Sequence, residues 1–356
     1  MKKRLIDFIY KFIEFFPPRI AEKIKIIGCV IFGDWHFLPP RPIFPFAEEF
    51  SMDFADELKK IQLILDNESF DCVLHFIEKC RKESRIYKTI SPFKYALIVD
   101  HSKIDDYAIL PVPANKQLIA ARKKYHLKTG GYESLIFQQG VAYLTQEQKN
   151  YFNGKIVVDA GSYVGHYAIP LIKNYSFSQL WAFEPSKHSR LIFEKNMKKN
   201  HISSKMYRQF PYGLGKEKKV IYYDSEEIDL RLDGKDKCEI VPLDKIAADF
   251  NVLDRIGLIK ADVEGMGLEL LQGASNILKF SRPVLALSAY HCPDELFGQV
   301  FFLAKMFPDY RFYFIDMPEK SNFELTLIAI PSELGEFEYR RKYNIEERKY
   351  NIEEKK

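Results

Sequence analysis

The 356-residue sequence has no run of about 18 uncharged apolar residues, the length a membrane-spanning helix requires. It has five cysteines, Cys29, Cys72, Cys80, Cys238 and Cys292, odd in number and never in a CxxC pair. That pattern argues against a disulfide scaffold or a structural zinc site, so no metal is expected and reduced thiols in a cytoplasmic protein fit best. Nor is there an excess of one charge, since 53 Lys and Arg face 49 Asp and Glu for a net charge of +4. Without a long basic stripe the chain does not read as a nucleic-acid binder. A secretory signal is missing too. Met1-Lys2-Lys3-Arg4 leads into apolar residues, but Asp7, Lys11 and Glu14 interrupt them and Pro17-Pro18 ends the run.

What the chain does have is apolar and aromatic mass. Apolar residues make up 47% and the aromatics include 29 Phe and 21 Tyr, ample for the core of about two domains. Leu5, Phe8, Ile9, Phe12, Ile13 and Phe16 form one stripe of an amphipathic helix with basic residues at its start. Packing on the rest of the protein is the favoured reading, and weak contact with a membrane surface the alternative. Residues 34–50 read as an ordered, proline- and aromatic-rich connector. Two helices follow, one from near Ser51 carrying Phe54, Leu58, Ile61 and Leu65 inward. The other is capped near Asn67 or Ser69 and carries Phe70, Val73, Leu74 and Ile77, with Cys80 as a small core residue. Tyr95 to Pro113 suggests strands or extended loop, Gln117 to Leu127 a helix ended by Gly130-Gly131, and Glu133 to Leu144 a further amphipathic segment. This divides the chain into a mainly helical region 1–130, a second domain 131–335, and a charged tail 336–356 in which Lys-Tyr-Asn-Ile-Glu-Glu occurs twice.

After residue 150 short β-rich runs alternate with helical patterns. The runs are Lys155–Gly161, Gln179–Pro185, Lys205–Gly213, Gly257–Gly265, Pro283–Tyr290, Tyr310–Ile315 and Glu324–Pro331; the intervening helices include Ser186–Asn200 and Leu268–Phe280. Such alternation predicts βαβ units and a mostly parallel, seven-stranded sheet of α/β class. The last two runs are joined by a loop too short for a crossover helix, so they form an antiparallel hairpin at the sheet edge.

The strongest local signal is Val157-Val158-Asp159-Ala160-Gly161-Ser162-Tyr163-Val164-Gly165, a strand entering a glycine turn before a helix that starts near Val164. Ligands of such sheets bind at the carboxyl ends of strands. Gly161 would let backbone approach the ligand, and Gly165 would let helix pack on strand. Asp159 occupies the place of a dinucleotide fingerprint's first glycine. A pyrophosphate would not tolerate a carboxylate there, whereas the cationic aminocarboxypropyl group of S-adenosylmethionine would. The second strand ends in Phe183-Glu184-Pro185, with the acidic residue at the distance that suits a ribose diol, and Pro185 fixes the turn. In Leu258-Ile259-Lys260-Ala261-Asp262-Val263-Glu264-Gly265 the alternation of a strand turns Lys260, Asp262 and Glu264 to one side. Three ionisable groups on an otherwise apolar strand are costly unless paired or functional. His291, after the fifth run, is equally well read as a general base or as a rim histidine, and His166 as structural.

These blocks, with Pro211-Tyr-Gly-Leu-Gly215, Leu243-Asp244, Leu271-Gln-Gly-Ala274, Arg282-Pro283 and Tyr290-His291, resemble the FkbM family of methyltransferases over about residues 130 to 331. The resemblance implies a class I methyltransferase fold, Rossmann-like, and transfer of a methyl group from S-adenosylmethionine to a hydroxyl oxygen of a small-molecule or glycan acceptor. With the motif reading, the expected cofactor set is Asp159, Gly161, Ser162, Tyr163, Gly165, Glu184 and Pro185. The expected catalytic set is Lys260, Asp262, Glu264 and His291. One departure stands out: the family's acidic block commonly continues to a further Glu, where this chain has Gly267. An NAD-linked oxidoreductase and an inactive binding protein on the same fold are the competing readings. Asp159 and the terminal hairpin argue against the first, and Gly267 is the best support for the second.

Overall fold

The computed structural model describes residues 49–89, 112–223, 236–316 and 324–337. The amphipathic pattern at residues 5–16, nearly all of the connector, most of 95–113 and the repeated tail lie outside the described residues. The strands in chain order are β1 (Ile156–Ala160), β2 (Gln179–Phe183), β3 (Tyr207–Phe210), β4 (Gly213–Leu214), β5 (Lys219–Tyr223), β6 (Asp236–Val241), β7 (Ile256–Ala261), β8 (Val284–Ser288), β9 (Tyr310–Asp316) and β10 (Leu325–Pro331). Seven of them form one sheet of order β3-β2-β1-β7-β8-β10-β9. The five strands from β3 to β8 run parallel, whereas β10 is antiparallel to both β8 and β9. This is the class I methyltransferase arrangement expected from the alternating runs and the closing hairpin.

The central strands are buried end to end, as a sheet covered on both faces requires. Period-two alternation then divides the core. Val158, Ala160, Ile259, Ala261, Leu285 and Leu287 face one apolar cluster, while Val157, Leu258, Val284 and Ala286 face the other. The helices are α1 (Ala55–Gln62), α2 (Asn67–Thr89), α3 (Val112–Lys124), α4 (Gln146–Asn150), α5 (Ala168–Asn174), α6 (Lys187–Lys199), α7 (Leu243–Asp249), α8 (Gly267–Gln272), α9 (Ser275–Phe280) and α10 (Gln299–Met306). From α1, α2 and the turn before them, Phe50, Phe54, Ile61, Val73, Phe76, Ile77 and Cys80 enter the first cluster. Residues 49–89 therefore share a core with the sheet. Helix α2 also covers the edge strand β9, where Phe314 N donates to the Ser69 hydroxyl at 3.1 Å. A covered edge removes a template for unwanted strand pairing.

Several sequence expectations need correction. Helix α2 is capped by Asp66, whose carboxylate accepts from Ser69 N, and Leu74 points outward while Phe76 takes the core position. Val112 and Pro113 open α3 instead of ending an extended stretch; a first-turn proline lacks only an N–H that would be unpaired there. Glu133 to Leu144 is a π-helical turn (Glu133–Phe137) and a 3-10 turn (Val141–Tyr143), separated by positive φ at Gln138, Gln139 and Gly140. Helix α5 starts at Ala168, after a turn with positive φ at Gly161, Tyr163 and Gly165. The helix expected over Leu268–Phe280 is two helices, α8 and α9, divided at Gly273 and Ala274, where a side chain on Gly273 would strike the Gly215 carbonyl oxygen at 2.0 Å. Asp244 then caps α9 by accepting from Asn276 N and Ile277 N. A second sheet, β4-β6-β5, was not anticipated.

Candidate active site

A cavity of about 480 Å3 opens at the carboxyl ends of β1, β2 and β7. Its floor is the turn Ala160 to Tyr163, and one wall is the second sheet with Leu214, Ile221, Cys238 and Ile240. Glu184, next after β2, is 8% exposed. Its Oε2 accepts from Tyr163 N at 3.0 Å and its Oε1 from Ser186 N at 2.8 Å, which fixes the carboxylate at the cavity wall. Burial raises its pKa and these two backbone donors oppose the rise. Pro185 lines the cavity beside it, and Ser162 is part of the floor.

Asp159 does not line the cavity. It is wholly buried beneath the floor, directly opposite Lys260 on the neighbouring strand, with Lys260 Nζ 3.1 Å from Asp159 Oδ1 but off the line of a well-formed hydrogen bond. Lys260 also donates to the carbonyls of Ala160 and Gly161, and it sits 4.0 Å from the Tyr167 ring centre. Burial pushes the Asp159 carboxyl up while Lys260 pulls it down. Both side chains are wholly buried and neither lines the cavity, which removes Lys260 from the cavity and Asp159 from direct ligand contact. The reason is cross-strand register: Lys260 falls opposite Asp159, not beside Asp262. Gly161 lines the cavity floor, and it meets a second requirement beside the approach to a ligand. A Cβ there would lie 1.8 Å from the Asp262 carbonyl oxygen, so the glycine admits the end of β7. Gly165 faces Phe193 and Met197 of α6, so it lets one helical layer meet another.

Past β7, Asp262 and Glu264 do reach the cavity. Asp262 Oδ1 accepts from the Ser288 hydroxyl at 2.8 Å and the Tyr290 hydroxyl at 3.2 Å, and His291 Nε2 stands 3.5 Å away. Burial would raise this carboxyl, but His291, Lys260 and the two hydroxyls outweigh it and hold it below the ordinary carboxylate range. His291 is 2% exposed and does not line the cavity. Its Nδ1 is 2.7 Å from Glu295 Oε2, and its Nε2 is 3.4 Å from Glu264 Oε2. Burial lowers its pKa, yet Glu295, Glu264 and Asp262 raise it to about 9. A ring held protonated among three carboxylates is a poor proton acceptor, which favours the rim reading of the two that the sequence left open.

The cavity also contains residues the motifs did not mark. Glu133 comes from the π-helical turn, Glu324 precedes β10, and Tyr167 lies on the turn before α5. Burial and the carboxylates of Glu324, Asp262 and Glu133 push the Tyr167 hydroxyl well above its ordinary pKa. His166, read as structural, lines the cavity as well and bonds to the Thr129 hydroxyl at 2.9 Å. Burial, Arg122 and Lys260 lower it to about 4, so its ring is neutral. Buried Gln139 donates to Ala261 O and to the Ser288 hydroxyl, and thus supports Asp262 at one remove. Two adjacent amides in an apolar stretch, Gln138-Gln139, were the signal that could have revealed it. Among the described residues no cluster of three or more His, Cys, Asp or Glu is arranged to hold a metal ion. No helix among them is long and apolar enough to cross a membrane.

No curated protein matches the chain. Among solved structures it is similar to a methyltransferase FkbM from Methylobacillus flagellatus, with 18% identity, a TM-score of 0.42, and 72% of this chain and 70% of that one covered. It is also similar to the O-methyltransferase TomG from Streptomyces achromogenes, in complex with SAM, with 12% identity, a TM-score of 0.37, and 66% and 96% covered. Family comparison matches residues 159–324, from inside β1 to the threshold of β10, to the "Methyltransferase FkbM domain". That segment spans the Glu184 and Asp262 walls of the cavity, and over it the chain matches the methyltransferase FkbM domain.

Proposed function

We propose that the protein transfers a methyl group from S-adenosylmethionine to a hydroxyl oxygen of a small-molecule or glycan acceptor. The observation that carries this reading is Glu184. Two backbone N–H groups hold its carboxylate at the cavity wall, where its remaining lone pairs suit a ribose diol. The apolar wall of Leu214, Ile221 and Ile240 beside it suits a flat aromatic base. The cofactor supplies an electrophilic methyl group on a sulfonium.

The chain's own residues then align and receive. All three contacts to Asp262 converge on Oδ1, so Oδ2 is the oxygen available to an acceptor hydroxyl. Asp262 is a weak base, held low by His291 and Lys260. Against an electrophile this strong, orientation matters more than basicity, and the hydroxyl proton passes to Asp262 as the new bond forms. Glu264, on the same wall, orients the rest of the acceptor. Lys260 acts from below by pairing with Asp159.

Calorimetric titration of the purified protein with S-adenosylmethionine, beside Glu184→Ala and with NAD as control, tests the reading. Micromolar-range binding to the wild type, lost in the variant and not seen with NAD, is expected. A folded, cofactor-free protein that ignores S-adenosylmethionine would overturn it.

A further inference from the structure

We propose that Glu295 is a positioning residue: seated where a side chain at position 267 would lie, its carboxylate holds the His291 ring against Asp262 and Glu264 and fixes the loop between them. This role rests on the proposed methyl transfer for what Asp262 and Glu264 do, but not for the network itself.

Glu295 is wholly buried in the π-helical turn Asp294–Gly298. Its Oε1 accepts from Gly265 N and from Gly267 N, both at 3.1 Å, and its Oε2 takes His291 Nδ1 at 2.7 Å. A buried carboxylate is costly unless such donors surround it, and here one carboxylate ties three groups from two segments together. The opposite ring nitrogen, Nε2, faces Asp262 Oδ1 at 3.5 Å and Glu264 Oε2 at 3.4 Å. The Tyr290 ring lies against the imidazole with centroids 4.1 Å apart, and Glu49 bears on it electrostatically from the turn before α1. The loop needs holding, because Glu264 and Gly265 both adopt left-handed backbone, with φ of 52° and 93°. For Glu264 that conformation carries strain that surrounding contacts must offset.

Position 267 completes the case. A Cβ built on Gly267 would stand 3.0 Å from Glu295 Oε1 and 2.8 Å from Gln299 Nε2. A side chain at 267 and the Glu295 carboxylate compete for one volume. The missing acidic residue at Gly267 is therefore no loss of charge from this side of the site, since the carboxylate arrives from the π-helical turn that follows β8.

The test is a pH titration of the His291 ring by NMR in the full chain, which requires neither acceptor nor turnover. In Glu295→Gln, which keeps the shape and the oxygen facing the glycines, the His291 midpoint is expected to fall by about 1–3 pH units, the usual effect of losing one close opposite charge. In Glu295→Ala combined with Gly267→Glu it is expected to return toward the wild-type value. Calorimetry with S-adenosylmethionine on the wild type tests the methyl-transfer reading separately. A wild-type midpoint in Glu295→Gln overturns the role. A double variant that fails to fold or to recover overturns the shared place. Loss of cofactor binding in the wild type counts against the methyl-transfer reading alone.

Discussion

At the scale of single residues the chemistry is set by which charges share a cage. His291, raised to about 9 by Glu295, Glu264 and Asp262 against the effect of burial, has a folded pKa above its unfolded value of about 6.5. Its contribution to stability is fully present below pH 6.5 and is lost as pH rises through about 9, roughly 3 kcal/mol in all. His166 is displaced the other way, to about 4, so stability is lost as pH falls from about 6.5 toward 4. Urea unfolding at pH 5, 6.5 and 9 should place the greatest stability near the middle value, with the alkaline decline reduced in Glu295→Gln. An alkaline limb identical in that variant would remove Glu295 as the cause. Neither shift was visible in the sequence, because each depends on groups brought together from separate segments. His291 owes its charge to residues 262, 264 and 295, and His166 owes its neutrality first to burial and then to Arg122 and Lys260.

At the scale of elements, the joint between α2 and β9 includes the hydrogen bond from Phe314 N to the Ser69 hydroxyl, backed by apolar packing. Removing the acceptor in Ser69→Ala leaves Phe314 N, a buried edge donor, without its partner. The expected cost is about 1–3 kcal/mol in denaturant unfolding, with the cofactor affinity unchanged because the joint lies at the far edge of the sheet. A neutral substitution would mean that packing alone seats the helix. The strands of the main sheet were legible because β1, β7 and β8 are short β-rich runs, bounded by Gly, Pro or charged residues, that bury both faces. The β4-β6-β5 sheet was not, although Val220-Ile221-Tyr222-Tyr223 and Cys238-Glu239-Ile240-Val241 carry strand composition. Its first strand has two residues, and the stretch between β5 and β6 is crowded with charge. Glu184 and Asp262 could be found from their distance beyond strand ends, whereas the Asp159–Lys260 pair needed the register of β1 against β7.

At the scale of the whole molecule, the helical region and the sheet are bound by a common interior. Phe50, Phe54 and Phe76 lie in the same apolar cluster as Trp181 and Leu285, and Leu118 of α3 lies in the cluster on the other face. A chain beginning at Gly131 would expose both sets together with the β9 edge. It is expected to be insoluble or to lose cooperative unfolding, while the full chain unfolds cooperatively; scanning calorimetry of the two decides. A well-behaved short form would make the helices an accessory. The boundary near residue 130, drawn from a change in sequence pattern, therefore marks a change of architecture within one interior. Periodicity reports elements and says little about what they share.

The contact between Gly161 and the Asp262 carbonyl leaves no room for even a methyl group between the ends of β1 and β7. The two halves of the cavity floor are in effect welded. On the proposed reading, a substitution that shifts Asp262 to suit a new acceptor drags the cofactor's cradle with it, so grip and reactivity cannot be tuned separately there. Diversification toward other acceptors has to proceed from surfaces outside the weld, such as Glu324 ahead of β10, and is correspondingly confined.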